Sequence, residues 1–288
     1  MSTIRIPLPP RYRPDWALSY QGRDRQSPAE RVEGNTLSKV LEVQGAALGL
    51  HIALEDGAAA VDCDVPGFPD IAERTTRRML GLLHDPGPLE ARAASEPDVA
   101  RLLAGREGLR FPLSATVFEG LCWAIVGQQV NLTFAATLRR TLIELVGLPH
   151  RNGGIAHPTP ERVAGLSPDL LTVRKFSRSK ADYLIGVARH IAEGRLDIER
   201  LPELSAEEAE GRLTGIRGIG PWTRQYVLMR SCGFPDCVPA GDAGLAAALQ
   251  RFHRWERRPT PAEQVALMQP FAPYRSHATA CLWASLSD

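Results

Sequence analysis

One carboxylate and one glycine hairpin are the places where this chain's residue types and spacing could do chemistry. Asp242 stands in Val238-Pro-Ala-Gly-Asp-Ala-Gly-Leu245, nineteen residues after Thr223. Leu245, Ala248, Leu249 and Phe252 follow at helical spacing, so Asp242 reads as a helix N-cap. A cap also sets the carboxylate at the mouth of the helix, where it can face a positive charge, and the two readings are compatible. Upstream, Leu213-Thr-Gly-Ile-Arg-Gly-Ile-Gly-Pro-Trp-Thr223 predicts a helix ending near Ile216, a turn through Gly218-Ile219-Gly220 and a new helix from Pro221. Two glycines around one apolar residue leave backbone N–H groups exposed at a helix N-terminus, which suits a phosphate oxygen. An ordinary helix–helix corner also needs glycine there, and spacing alone leaves both readings open. Trp222 and Tyr226 lie four apart on one helix face and can present their rings together, in a core or toward a ligand.

The elements that must position these residues fall into two styles. Leu48, Leu50, Ile52 and Leu54 alternate, Glu55-Asp56-Gly57 supplies turn chemistry, and Val61, Cys63 and Val65 alternate again, which predicts a hairpin. An earlier strand runs through Leu37, Lys39, Leu41 and Val43, and a helix with Ile71, Thr75, Met79 and Leu82–Leu83 on one face follows. After about Ser95 the pattern is helices only. Ser95-x-x-Asp98 opens a short one; Phe118, Leu121 and Ile125 mark a second that ends near Gly127. Phe134, Leu138, Leu142 and Leu145 mark a third that Gly147 stops. Ala181, Leu184, Ile185, Ala188 and Ile191 form another apolar stripe. Ser205-x-x-Glu208 and Thr260-x-x-Glu263 are capping-box signatures, and Pro273 starts the last helix. The reading is mostly α with an N-terminal α+β domain.

Composition narrows the class. The 288 residues, 44% hydrophobic and 23% charged, suffice for two or three domains and exclude a disordered, collagen-like or disulfide mini-protein chain. Five scattered cysteines without a CxxC pair read as reduced thiols of a cytoplasmic protein. Seven histidines at no ligand spacing give no sign of zinc. Residues 1–14 lack an apolar signal core, and the apolar stretch 115–130 is too short to span a membrane, so no membrane partner is expected. The charges nearly cancel over the chain, but residues 101–180 carry eleven cations against five acids, a net of +6. Arg174-Lys-Phe-Ser-Arg-Ser-Lys180 alone has four cations and no acid. Such a stretch is either a solvated face or a phosphate-binding one, whose affinity falls with salt.

Taken together, Gly218-Ile-Gly-Pro-Trp-Thr223 and Pro239-x-x-Asp242-x-x-Leu245 resemble the helix-hairpin-helix DNA glycosylase superfamily. Phe118-Glu-Gly-Leu-Cys-Trp-Ala-Ile-Val-Gly-Gln-Gln-Val130, Phe176-Ser-Arg-Ser-Lys-Ala181 and Pro273-Tyr-Arg-Ser-His-Ala278 with Leu282-Trp283 are similar to motifs of its 3-methyladenine DNA glycosylase II family. The likeness is strong over 118–283 and weaker before it, where Pro14-Asp-Trp16 is the one landmark.

The resemblance implies a helix-hairpin-helix glycosylase fold, with two helical domains flanking an active-site cleft. The expected domains are 1–94 (sheet plus helix), 95–117 with 231–288 (helical), and 118–230 (helical, with the hairpin). It implies a monomer that flips a damaged base from double-stranded DNA and hydrolyses its N-glycosidic bond in the cytoplasm, at the nucleoid. Expected substrates are bases of the 3-methyladenine and 7-methylguanine type. By position Asp242 matches the catalytic aspartate, and Trp222, Tyr226 and Trp283 match aromatics of the base pocket. Gln129, with Gln128 beside it, matches the wedge that fills the gap in the duplex. Gly218, Gly220 and Thr223 are expected at the DNA backbone, and Arg275 either joins them in the cleft or caps a helix. No cofactor is expected, except that carbonyls of Thr214, Ile216 and Ile219 could hold Na⁺ or K⁺. Bifunctional relatives carry a lysine where this chain has Trp222, and several have a four-cysteine iron–sulfur cluster that it lacks, so a monofunctional enzyme is expected. The aromatic that the resemblance implies near Gly22 is expected to be missing from the pocket. That suggests a more open pocket, able to admit 1-methyladenine or 3-methylcytosine. A different class, a non-catalytic helix-hairpin-helix module gripping DNA, is the alternative.

Overall fold

A computed structural model describes residues 3–287. The N-terminal part is one antiparallel sheet of β1 (Ile4–Pro7), β2 (Glu30–Glu33), β3 (Thr36–Val43), β4 (Ala46–Glu55) and β5 (Ala58–Cys63), in the order β1-β5-β4-β3-β2. Glu55 pairs with Ala58 across the turn at Asp56-Gly57, as the turn residues require. Leu48, Leu50, Ile52 and Leu54 lie on one buried face. They pack with Leu37, Leu41 and Val61 against α1 (Pro14–Gln21) and α2 (Pro69–Met79), which give Ala17, Leu18, Ala72 and Met79 to that core. β1, β2 and α1 carry too little periodicity to be read from sequence. α2 ends at Met79, because Gly81 adopts the left-handed conformation, so Leu82 and Leu83 leave the helix face and Leu83 is exposed.

Lys39 shares the inward face of β3 with Leu37 and Leu41 and is 1% exposed. A charge there needs partners. Its Nζ donates to Glu30 at 2.7 Å and to both oxygens of Glu119 at 2.9 Å, and Arg139 donates to the same two carboxylates at 2.6 to 2.9 Å. Two cations and two carboxylates thus join the sheet to the helical part.

That part contains α3 (Gly87–Arg92), α4 (Pro97–Leu103), α5 (Val117–Gly127), α6 (Leu132–Val146), α7 (Pro160–Ala164), α8 (Pro168–Thr172), α9 (Arg178–Ala192), α10 (Ala206–Leu213), α11 (Pro221–Val227), α12 (Ala243–His253), α13 (Pro261–Met268) and α14 (Arg275–Ala284). It is not purely helical: β6 (Leu148–Pro149) pairs with β7 (Ile155–Ala156) just after α6. α5 is apolar on nearly every side and buried from Val117 to Val126, making it the central helix. Both capping boxes form, on α10 and α13. Ser95 does not cap α4; Glu96 precedes it and Pro97 sets its start. Pro273 likewise stands two residues before α14, which begins at Arg275. α10 stops at Leu213, not Ile216, and the loop that follows turns through Gly215 and Gly218, both at positive φ.

α11 runs into a π-helical turn, Leu228–Cys232, closed by Gly233. This turn lies against α5 where only glycine fits: a Cβ on Gly120 would stand 1.8 Å from Ser231 Oγ. Arg78 of α2 donates to the carbonyl oxygens of Ser114, Ala115 and Ser231, tying the π-turn to the N-terminal part.

Candidate active site

Asp242 caps α12, its Oδ1 accepting from the Leu245 N–H at 2.7 Å. The same oxygen accepts from Trp283 Nε1 at 3.0 Å, and Oδ2 accepts from Trp222 Nε1 at 3.2 Å. Three N–H donors from three elements fix the half-buried carboxylate while leaving lone pairs for a further positive group. The two indoles that hold it flank a third ring. Trp222 lies 5.3 Å from Tyr226, and Tyr226 6.1 Å from Trp283, centroid to centroid. Tyr226 is buried, and burial pushes its phenol above the usual tyrosine range, so it stays protonated. Asp242, Trp222 and Tyr226, picked out by type and spacing, therefore stand together with Trp283, which the resemblance implied.

The ring cluster continues through residues the sequence did not single out. Arg230 lies 5.0 Å over the Trp283 ring and 4.5 Å over Tyr20, and Arg23 lies 4.2 Å over Tyr20 and 4.6 Å over Trp123. Tyr20 comes from α1, which Gln21 anchors by donating to the carbonyls of Met79 (2.9 Å) and Leu113 (3.1 Å). The N-terminal part thus supplies an aromatic, two residues before Gly22, and the open pocket expected from its absence is not there. The cavity bounded by Tyr20, Arg23, Trp123, Tyr226 and Arg230 has about 10 Å³, room for about one water. Arg23 is exposed, with no carboxylate partner among the described residues; its Nη1 donates to the Tyr20 carbonyl. Arg230 is one helical step from Tyr226, which was the available signal, but the π-turn re-aims it in a way no periodicity reveals.

The hairpin and the wedge loop touch. Gln128 Nε2 donates to the Gly218 carbonyl at 2.9 Å and to Thr223 Oγ1 at 3.0 Å. Gln128 is thus a strut between α5 and the hairpin. Gln129 is exposed at φ 56°, ahead of Asn131, which caps α6, and Leu132, which is 73% exposed. Gly218 is constrained twice: its φ is 93°, and a Cβ would meet the Tyr183 ring at 2.4 Å. Gly220 is exposed at the start of α11.

Two expected backbone contacts are turned to other uses. Thr223 is 2% exposed with its hydroxyl engaged by Gln128, and Arg275 pairs with Asp236 through Nε at 2.6 Å and Nη2 at 2.7 Å. The basic run is also partly internal. Lys180 donates to the carbonyls of Ile125, Val126 and Gln128, a cation on the C-terminus of α5, and burial lowers its ammonium pKa. Arg174, Lys175 and Arg178 are exposed, Arg178 beside Asp169 and Asp182. Of the hairpin carbonyls, Ile216 O accepts from the Ile219 N–H and Ile219 O takes a 3.5 Å contact from Arg224 Nη1. A carbonyl oxygen keeps a second lone pair, so these oxygens retain acceptor capacity, with the Arg224 guanidinium close to one of them.

Residues 122–273 match the model of the HhH-GPD superfamily of base excision DNA repair proteins. The chain is 30% identical to a DNA-3-methyladenine glycosylase of Bacillus subtilis, over 98% of this chain and 97% of the relative. Its fold is similar to that of a 3-methyladenine DNA glycosylase of Archaeoglobus fulgidus, with TM-score 0.86, 22% identity, and coverage of 98% and 97% of the two chains. A Schizosaccharomyces pombe 3-methyladenine DNA glycosylase in complex with abasic DNA superposes with TM-score 0.60 and 25% identity, over 69% of this chain and 96% of that one.

Proposed function

Because the chain belongs to the HhH-GPD superfamily of base excision DNA repair proteins, we infer that it is a DNA glycosylase that everts an alkylated base from double-stranded DNA and hydrolyses its N-glycosidic bond. The observation that carries this reading is Asp242, held by the indole N–H groups of Trp222 and Trp283, whose rings flank Tyr226 at the edge of a small cavity. Breaking an N-glycosidic bond leaves an oxocarbenium-like sugar. A carboxylate ~4 Å from that charge gains ~4 kcal/mol at an effective dielectric near 20, about a thousandfold in rate. An N-alkylated purine already carries positive charge and departs neutral, so one carboxylate suffices.

Water is the nucleophile in this reading. Lys39 is locked in the buried charge cluster, Lys180 on the end of α5, and Lys175 lies between α8 and α9. The residue just after Gly220-Pro221 is Trp222, not an amine. This supports a monofunctional enzyme. With Tyr20 in place, the inferred substrates are of the 3-methyladenine and 7-methylguanine type. In this reading Gln129, exposed between α5 and α6, fills the gap left by the everted nucleotide, and Gly218 and Gly220 meet the DNA backbone. Na⁺ or K⁺ on the carbonyls of Thr214, Ile216 and Ile219 would brace the hairpin without entering the bond-breaking step. No helix among the described residues is long and apolar enough to cross a membrane.

The test is release of methylated bases from alkylated duplex DNA. Asp242→Asn is expected to slow release by about three orders of magnitude while leaving affinity for a duplex with an abasic-site analogue within about threefold. Undiminished release by the variant refutes the assignment. Absence of release by the unaltered protein leaves the non-catalytic DNA-gripping module in its place.

A further inference from the structure

Most buried cations among the described residues have several acceptors each. Lys39 and Arg139 face two carboxylates, and Arg78 donates to three backbone carbonyls. Arg230 is 7% exposed and has no carboxylate partner among the described residues. Its Nη1 donates to the Pro112 carbonyl at 3.1 Å, and its buried Nε–H has no acceptor. A buried donor left open is costly, and beside a cavity it points to a ligand acceptor. The guanidinium borders the cavity that Tyr226 and Tyr20 share, stacked on Trp283, whose N–H holds Asp242. Its direction is set by the π-turn, a local departure that often marks function.

We propose that Arg230 is the specificity-determining residue of the base pocket, facing the everted base and sorting lesions by the charge they carry away. This rests on the glycosylase reading. When the C1′–N bond breaks, the electron pair stays on the base nitrogen and the sugar becomes the cation that Asp242 faces. Water then adds to C1′ and releases its proton to solvent. A cationic alkylpurine goes from +1 to neutral, and a neutral carbonyl-bearing purine goes from neutral to −1. The charge on the base falls by one in both cases, so a fixed guanidinium favours bond breaking over the bound state for both. Binding differs: the guanidinium repels a cationic base and donates N–H to the acceptor edge of a neutral one. Measured from free enzyme and DNA, Arg230 therefore helps the neutral lesion and is nearly indifferent for the cationic one.

The experiment compares single-turnover release of hypoxanthine, as the neutral probe, and 7-methylguanine from otherwise identical duplexes. One unit charge about 6 Å from the base at an effective dielectric near 20 amounts to roughly a hundredfold in rate. Arg230→Met is thus expected to lower the maximal rate divided by the half-saturating enzyme concentration about 100-fold for hypoxanthine and less than threefold for 7-methylguanine. For 7-methylguanine the maximal rate falls and the half-saturating concentration falls with it. Millimolar guanidinium added to Arg230→Ala is expected to restore hypoxanthine release selectively. If Arg230→Met does not fold, Arg230→Lys should hold the ratio of the two substrates within about threefold of the unaltered protein, while Arg230→Gln lowers it. Equal losses on both substrates, or an unaltered protein that releases 7-methylguanine but not hypoxanthine, overturn the proposal. Release of neither base by the unaltered protein overturns the glycosylase reading itself.

Discussion

The two oxygens of Asp242 accept from N–H groups of α11, α12 and α14, so three separate helices must be docked before the carboxylate is aimed. Asp242 could be read from its place before an apolar helical stripe, and Trp222 and Tyr226 from their spacing, because each signal is local. Trp283 was legible only through the family motif, and its indole N–H bond to the carboxylate spans 41 residues. A charge-assisted hydrogen bond contributes about 1.5–3 kcal/mol. Trp283→Phe keeps a ring for stacking and deletes that bond, so base release is expected to slow about tenfold or more with affinity for duplex DNA unchanged. Single-turnover release of 7-methylguanine beside a binding titration checks this, and unaltered release would show that the indole serves the ring cluster alone. Tyr20, Arg23 and Arg230 escaped a residue-by-residue reading for a common reason. Each gains meaning from a ring or cavity supplied by a distant segment, and cation–π stacking leaves no fixed spacing in a sequence.

At the scale of elements, helix signals were dependable where side chains cap the backbone. Asn131, Ser177, Ser205, Asp242 and Thr260 each accept from the N–H of the residue three positions on. Ends set by other means were misplaced: α4 and α14 do not begin at Ser95 and Pro273, and α2 and α10 are stopped by turns through Gly81 and Gly215. The hairpin was legible as a glycine pair, but its tightness was not, since Tyr183 comes from α9. At Gly218 a methyl group would meet that ring and also impose a positive φ on a residue with a Cβ. Gly218→Ala is therefore expected to lower stability by about 1–3 kcal/mol and to weaken duplex affinity, because the Gly218 carbonyl also holds the Gln128 strut. Gly220→Ala meets nothing within 4 Å and should leave stability nearly unaltered. Urea unfolding of the two variants separates the cases, and equal losses would remove the argument from crowding.

Across the whole molecule, the pocket is assembled from the N-terminal part and the helical part, and the cluster of Lys39, Glu30, Glu119 and Arg139 ties them together beneath it. Glu119 and Arg139 border the same cavity as Tyr20 and Arg230. Burial pushes the Glu119 carboxyl up, but Lys39 and Arg139 outweigh it and hold the pKa at about 2, below the ordinary 4.5; Glu30 is lowered by the same two cations. A carboxyl whose folded pKa is depressed gives stability that is present above its unfolded value and lost as pH falls through the folded one. Burial also lowers His157 and His277 from 6.5 to about 4. The unfolded chain therefore takes up more protons than the native one between those values. Stability is expected to decline first from about pH 6.5 toward 4, and again from about pH 4.5 toward 2. Lys39→Met leaves two carboxylates against Arg139 and should cost roughly 3–5 kcal/mol at pH 7. Lys39→Met combined with Glu119→Gln leaves Glu30 and Arg139 as a balanced pair and is expected to recover most of that loss. Urea midpoints at pH 7 measure both; if the double variant is as unstable as the single one, the cluster does not act as a balanced unit.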